Sequence, residues 1–261
     1  MDKEQNIQEE RALKEGTPLD EEETEDIAEK IQELVENDNP PAAIDLFSQL
    51  RPADQGEVIE ELPLETQQKV LATLSPEAAA EVLEHLDTAD AIKAIEGVDT
   101  AALSEILDEV DSDVQADILR KLPEDRSREV LKDMEEAEDV LPLLRYPDDT
   151  AGGRMVLEYV AVKDSVIASD ALETLRLQGP DVENIRSIFV INIDKHLVGK
   201  LSIARLALSL PVALVKDIMD TEVIFVSSDT NQQECARIIE RYSLDQLPVI
   251  DDESRLVGVI R

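Results

Sequence analysis

"LSPEAAAEVLEHLDTADAIKAIEGVD", residues 74–99, interrupts its own helical pattern at a fixed interval. Leu74, Leu86 and Val98 stand twelve positions apart, and each is followed at once by Ser-Pro or Asp-Thr. The spacing continues outward in both directions, through Leu62 and Leu50 on one side and Val110, Leu122 and Met134 on the other. Proline suits the first turn of a helix, and Asp or Ser just before it accepts hydrogen bonds from the free backbone N–H groups there. Between the breaks, sets such as Val82, Leu83, Leu86 and Ile106, Leu107, Val110 place apolar side chains on one face. The pattern predicts short helices of about nine residues, too short to be stable alone, which must stack on their neighbours. An all-α superhelical solenoid follows, with two helices for every 24 residues.

The rest of the chain is bounded by composition. With 261 residues and 43% hydrophobic content it has material for a real core and for two domains or more. Its formal net charge of -36 speaks against nucleic acid and anionic lipid as partners, and leaves cations or basic proteins. Residues 1–145 hold 42 acidic and 13 basic side chains, and residues 146–261 hold 19 and 12, so two kinds of domain are expected. The first 25 residues read as an acidic tail, with "LDEEETEDIAEK" at 19–30 leading into a helix. Cys235 alone permits no internal disulfide. No apolar run is long enough to span a membrane and no signal-peptide core is seen, so the chain as given is expected to be soluble.

Past residue 150 the periodicity changes. "EYVAVKDSVIASDALETLRL" reads as strand then helix, and "SIFVINIDKHLVGKLS" as two strands around a turn. "TEVIFVSSDTNQQECARIIERY" and "QLPVIDDESRLVGVIR" repeat that order, with about 60 residues between Gly199 and Gly258. An internal duplication of an α/β unit is the simplest account.

"DEVDSDVQAD", residues 108–117, carries five carboxylates and no basic residue. Asp111 falls at a helix start and Glu109 just before it, where the N-terminal end of the helix dipole favours negative charge. A calcium-binding EF-hand loop does not fit, because Ala116 stands where the loop needs Gly and Leu122 where it needs the bidentate Glu. Asp113 and Asp117, four apart, share a helix face and repel. The pattern alone favours a solvated face and leaves a cation site open. His85, His196 and Cys235 have no visible catalytic companion, and Gly152-Gly153 lacks the rest of a phosphate loop, so no enzyme is expected.

The β-α-β-β units ending in "HLVGK" and "RLVGV" resemble tandem cystathionine-β-synthase (CBS) domains. With the acidic short-helix solenoid and "RYPDDTAGGRMVLEYVAV" at 145–162, the chain is similar to the cytosolic region of MgtE-type magnesium transporters and channels. The resemblance implies the following organisation: acidic tail 1–25, helical solenoid 26–136, linker 137–150, first CBS unit 151–215, and second CBS unit 216–261 without its closing helix. It further implies a homodimer through the CBS domains, at the cytoplasmic face of the membrane, with the pore-forming helices C-terminal to this chain. Mg²⁺ would bridge acidic faces of solenoid and CBS domains and close the pore. Matching motif to motif selects Glu81, Asp113 and Asp117 on the solenoid, and Glu240, through its backbone carbonyl, on the CBS side. Asn231, Gln233 and Ser243 stand where the family carries acids, and Asp245 is a substitute. Adenine nucleotide binding, common among CBS pairs, is the competing function. It is disfavoured because Arg205 replaces the expected Asp after Ser202, and Ser187 and Leu244 replace ring-stacking aromatics. A protein-interaction scaffold with no ion role is the other alternative.

Overall fold

The computed structural model describes residues 19–37, 39–135, 137–178, 185 and 187–261, so most of the acidic tail expected at 1–25 lies outside the described residues. Two compact units form, the first from residues up to Val110 with Asp117–Ala137 and the second from Asp111–Ala116 with Glu138–Arg261.

Along the first part of the chain, helix follows helix at the predicted interval. They are α1 (Glu21–Glu36), α2 (Pro40–Phe47), α3 (Pro52–Glu61), α4 (Leu64–Leu71), α5 (Pro76–His85), α6 (Thr88–Ile95), α7 (Thr100–Asp108), α8 (Ser112–Lys121) and α9 (Glu124–Asp133), with α8 divided between the two units. Leu50, Leu62, Leu86, Val98, Val110, Leu122 and Met134 all sit buried at the breaks between helices, with Leu74 half-buried. The starts follow the expected chemistry. Asp87 accepts from the N–H groups of Ala89 and Asp90, Asp99 from those of Ala101 and Ala102, and Ser75 from that of Ala78. Helix α1 opens on a reciprocal capping box between Asp20 and Glu23.

Alternate helices pack together, α1 on α3, α3 on α5, α5 on α7 and α7 on α9, while α2, α4 and α6 form a second row. Ile31, Ile59, Leu83, Leu103 and Leu107 are fully buried along this stack. Gly56 marks where α3 meets α5, since a Cβ there would lie 2.9 Å from the Cβ of His85. The free carbonyls at helix ends are met from neighbouring helices. Arg126 on α9 donates to the carbonyls of Ile95 and Val98 at 3.0 and 2.6 Å, and Gln55 on α3 donates to that of Phe47 at 3.1 Å.

The second unit is built twice over. After two short turns, α10 (Ala137–Val140) and α11 (Ala151–Arg154), come β1 (Ala161–Lys163), α12 (Ala168–Gln178), β2 (Ser187–Ile191) and β3 (Leu197–Ser202). Strand β1 runs parallel to β2, and β2 antiparallel to β3 with Val190 opposite Gly199. After α13 (Ile203–Leu208) and α14 (Val215–Ile218), the order recurs in β4 (Val226–Ser227), α15 (Gln232–Tyr242), β5 (Leu247–Ile250) and β6 (Leu256–Ile260), with Val249 opposite Gly258. Both hairpins carry a bulge at the matching place and one residue at positive φ, Lys195 and Ser254. The side chains of Asn192 and Asp251 each accept two backbone N–H groups in those turns.

The two halves also exchange their leading segments. Val156, ahead of the first half, bridges Val259 of the second, and Asp220, ahead of the second, bridges Lys200 of the first. Met155 packs where a Cβ on Gly258 would stand, and Met219 does the same at Gly199. Leu206 of α13 is fully buried in the core of the first half, packed with Val190 and Leu201.

Caps at separate helix starts should act independently. Replacing Asp87 or Asp99 by Ala should each cost about 1 kcal/mol, and the double variant should lose the sum to within about 0.5 kcal/mol, read from urea unfolding of the helical signal.

Candidate metal centre

The acidic stretch singled out at 108–117 divides at the start of α8. Its residues Asp111–Ala116 belong to the second unit and are held there by named bonds. Ser112, 4% exposed, donates to Glu158 Oε2 at 3.0 Å and accepts from the N–H of Leu157 at 2.8 Å. Asp111 Oδ2 receives Arg261 Nη2 at 2.5 Å. Asp113 is partly buried, and its Oδ1 accepts from the N–H of Val114 at 2.9 Å.

Electrostatics follow from that burial. Loss of water pushes the Asp113 carboxyl from its ordinary 3.8 up to about 6; the Val114 N–H opposes the shift, Asp111 adds to it, Arg261 opposes it, and Glu158 adds to it. Glu158 is also raised, again chiefly by burial, against its hydrogen bonds to its own N–H and to Ser112. One turn on, Asp117 pairs with Arg120 at 3.0 Å, with both side chains mostly buried. The open, solvated helix face that the pattern favoured is therefore not what Asp113 and Asp117 occupy. They lie one turn apart, both largely withdrawn from water.

The remaining predicted ligands are exposed. Glu81 is exposed on α5. Glu240 is exposed near the end of α15, where its carbonyl already accepts the N–H of Ser243, which closes the helix in a left-handed conformation. Asp245 is exposed just beyond. Among the described residues no group of three or more His, Cys, Asp and Glu is placed to hold a metal by itself. Ser112, Glu158 and Arg261 were not singled out by sequence, since Glu158 lies 46 positions from Ser112 and Arg261 lies 150 from Asp111, beyond any periodicity.

Other residues weighed for chemistry have structural roles. His85 Nδ1 lies 2.8 Å from the carbonyl of Glu81, and His196 sits in a hairpin turn beside Asn192. Burial pushes the Cys235 thiol up. Gly152 and Gly153 are buried in α11, their N–H groups taken by the carbonyls of Ser228 and Thr150 and their Cβ positions filled by Tyr146 and Pro147. Ser202 spends its hydroxyl on the N–H of Arg205 at the start of α13.

A carboxyl raised in the folded state binds its proton more tightly there than in the unfolded chain. It therefore contributes most to stability below its ordinary pKa, and that contribution is lost as pH rises through about 6. Asp113→Asn removes the effect. Its stability relative to the native protein should be near zero at about pH 4 and grow to about 1–3 kcal/mol in the variant's favour at neutral pH, from urea unfolding across that range. A difference independent of pH would show that the carboxyl is not perturbed.

Comparison with known proteins supplies the family. A model of the MgtE intracellular N domain matches residues 50–149, and a model of the CBS domain matches residues 215–261. The magnesium transporters MgtE of Thermus thermophilus and Bacillus subtilis are 40% and 37% identical over 128 residues, 49% of this chain and 28% of each transporter. The crystal structure of the cytosolic domain of the Mg²⁺ channel MgtE in complex with ATP superposes with a TM-score of 0.82 at 34% identity, over 89% of this chain and 96% of that one. The soluble part of a magnesium transporter superposes at 0.79 with 25% identity, over 91% of this chain and 94% of that one. No helix among the described residues is long and apolar enough to cross a membrane. With a short-helix solenoid joined to an intertwined CBS pair, and a solved relative matched over nearly its whole length, the chain belongs to the MgtE family of magnesium transporters.

Proposed function

We propose that this chain is the Mg²⁺-sensing regulatory region of a magnesium transporter, lying at the cytoplasmic face of the membrane with its pore helices C-terminal to it. The observation that carries the reading is the pair of withdrawn carboxylates one turn apart on α8, Asp113 and Asp117, the first with a charge that burial disfavours. Mg²⁺ takes oxygen ligands, keeps several waters, and is held by one or two carboxylates. Asp113 and Asp117 fit that donor set, with Glu81, the Glu240 carbonyl and Asp245 as partners that a more compact state would bring in. An ion that binds only the compact state stabilises it by RT ln(1 + [L]/Kd), about 1.4 kcal/mol at tenfold excess over Kd. Compaction would then close the pore, as negative feedback on cytosolic Mg²⁺. The role is regulatory, with no catalytic step.

A homodimer through the CBS pair belongs to the same reading. It is supported by Leu208, Leu210 and Val212, which lie between 72% and 89% exposed on the second unit. One small-angle scattering experiment reads both parts. Forward scattering should report two chains, and the radius of gyration should fall when millimolar Mg²⁺ replaces EDTA at equal ionic strength. Asp113→Asn with Asp117→Asn should leave the helices folded and shrink that fall by half or more, as roughly expected for losing two ligands. An unchanged radius in the native protein ends the switch, and monomer scattering ends the dimer.

A second reading is favoured by the ATP held in the 34% identical relative. It makes the CBS pair an adenine nucleotide sensor, against the disfavouring Arg205 and the committed Ser202 hydroxyl. Calorimetric titration with ATP in Mg²⁺-free buffer should then give a saturating heat; no heat at millimolar ATP removes this reading.

A further inference from the structure

The second unit builds the same joint twice. In each half, the residues between the first strand and the helix hold a short segment that leads into the opposite half. In the first half the N–H of Ala168 donates to the carbonyl of Ala213 at 2.8 Å, that of Val215 to Val166 at 2.9 Å and that of Lys216 to Asp164 at 3.1 Å. The same three bonds recur in the second half, from Gln232 to Asp149 at 2.8 Å, Ala151 to Thr230 at 2.7 Å and Gly152 to Ser228 at 2.8 Å. Leu214 bridges Ile167 in one joint where Thr150 bridges Asn231 in the other.

The match fails at one side chain. Ile167 has nothing to donate, whereas the Asn231 amide bonds in both directions. Its Oδ1 accepts the N–H of Gln233 at 3.0 Å and so starts α15, and its Nδ2 donates to the Asp149 carbonyl at 3.2 Å. A carboxylate could accept the first bond but has no proton for the second. Carboxylates crowd the sequence on both sides of this joint, at Asp148, Asp149 and Asp229, so an uncharged donor fastens it without adding to their repulsion.

We propose that Asn231 is a positioning residue that fastens Asp149–Gly152, the segment by which the chain enters the CBS pair, onto the second half. The extra bond stands at the one of two equivalent joints where the chain arrives from the helical repeats. A displacement travelling along residues 137–148 is thereby handed to β4 and α15 before it reaches the half that follows in sequence. That consequence rests on the regulatory reading, which the scattering experiment judges separately; the fastening itself needs no Mg²⁺.

Hydrogen exchange of the whole 261-residue chain in EDTA tests it, with the Gln232 and Ala151 amides as reporters and the Ala168 and Val215 amides of the other joint as controls. At neutral pH, Asn231→Asp should speed both reporters about fivefold, on the order of one net hydrogen bond. Gln233, whose acceptor oxygen is kept, and both controls should stay at the native rate. At about pH 4 the introduced carboxyl regains a proton to donate, so the difference from the native chain at the same pH should narrow. A side chain that only filled space would show no such dependence. Asn231→Ser keeps a capping oxygen without charge and should speed the reporters at either pH. Native reporter rates in either variant overturn the fastening: in Asn231→Asp because the donor is gone, and in Asn231→Ser because acceleration by the carboxylate alone is then charge repulsion. Should Asn231→Asp loosen the control joint as well, Asn231→Ser carries the test.

Discussion

Helices of eight to ten residues do not persist alone in water, because the nucleation cost is spread over too few hydrogen bonds. Every other feature of the first unit answers that constraint. A buried apolar residue recurs at each break and ties the end of one helix to the stack. Proline, Asp or Ser then starts the next, so no residue is spent on a long loop. Carbonyls that a long helix would satisfy internally are met by Gln55, Ser104 and Arg126 from other helices. Such a unit gains its stability from neighbour contacts, as repeat proteins do, and its surface is free to be overwhelmingly acidic.

The second unit solves a different problem by duplication. Neither half is self-sufficient, because the segment leading into each completes the sheet of the other, with a methionine seated on the glycine of the opposite closing strand. Gly199 and Gly258 follow from this: each must leave room for sulfur and methylene atoms closer than any side chain would permit. Phe189 and Tyr159, edge to face at 6.3 Å, join a shared cluster with Val156, Leu256 and Val259. The pair is one folding body with an internal symmetry.

The short-helix repeat and the duplicated α/β unit were both legible in sequence because each is written in a period, twelve residues in one case and about 60 in the other. The exchange of leading segments was not, since no period connects Met155 to Gly258. The same limit governs the candidate site. Spacing placed Asp113 and Asp117 on one helix face and favoured an exposed one, while their environment is set by Arg120 nearby and by Glu158 and Arg261 far along the chain. Glu81, Glu240 and Asp245 were selected by resemblance, and the structure finds them exposed.

Charge arrangement decides where a cation would change most. Asp117 already has a guanidinium at 3.0 Å, so a further cation there competes with Arg120 and gains little. Asp111 is likewise engaged by Arg261. Asp113 is different in kind: a backbone N–H is its named hydrogen-bond donor, burial outweighs that bond, and its carboxyl is raised to about 6. A carboxylate whose ionised form is disfavoured gains more from a nearby cation than one already satisfied, because the ion offsets a penalty present in the folded chain. Where Asp113 is protonated, below about pH 6, a cation would also have to displace that proton, so binding there would weaken as pH falls.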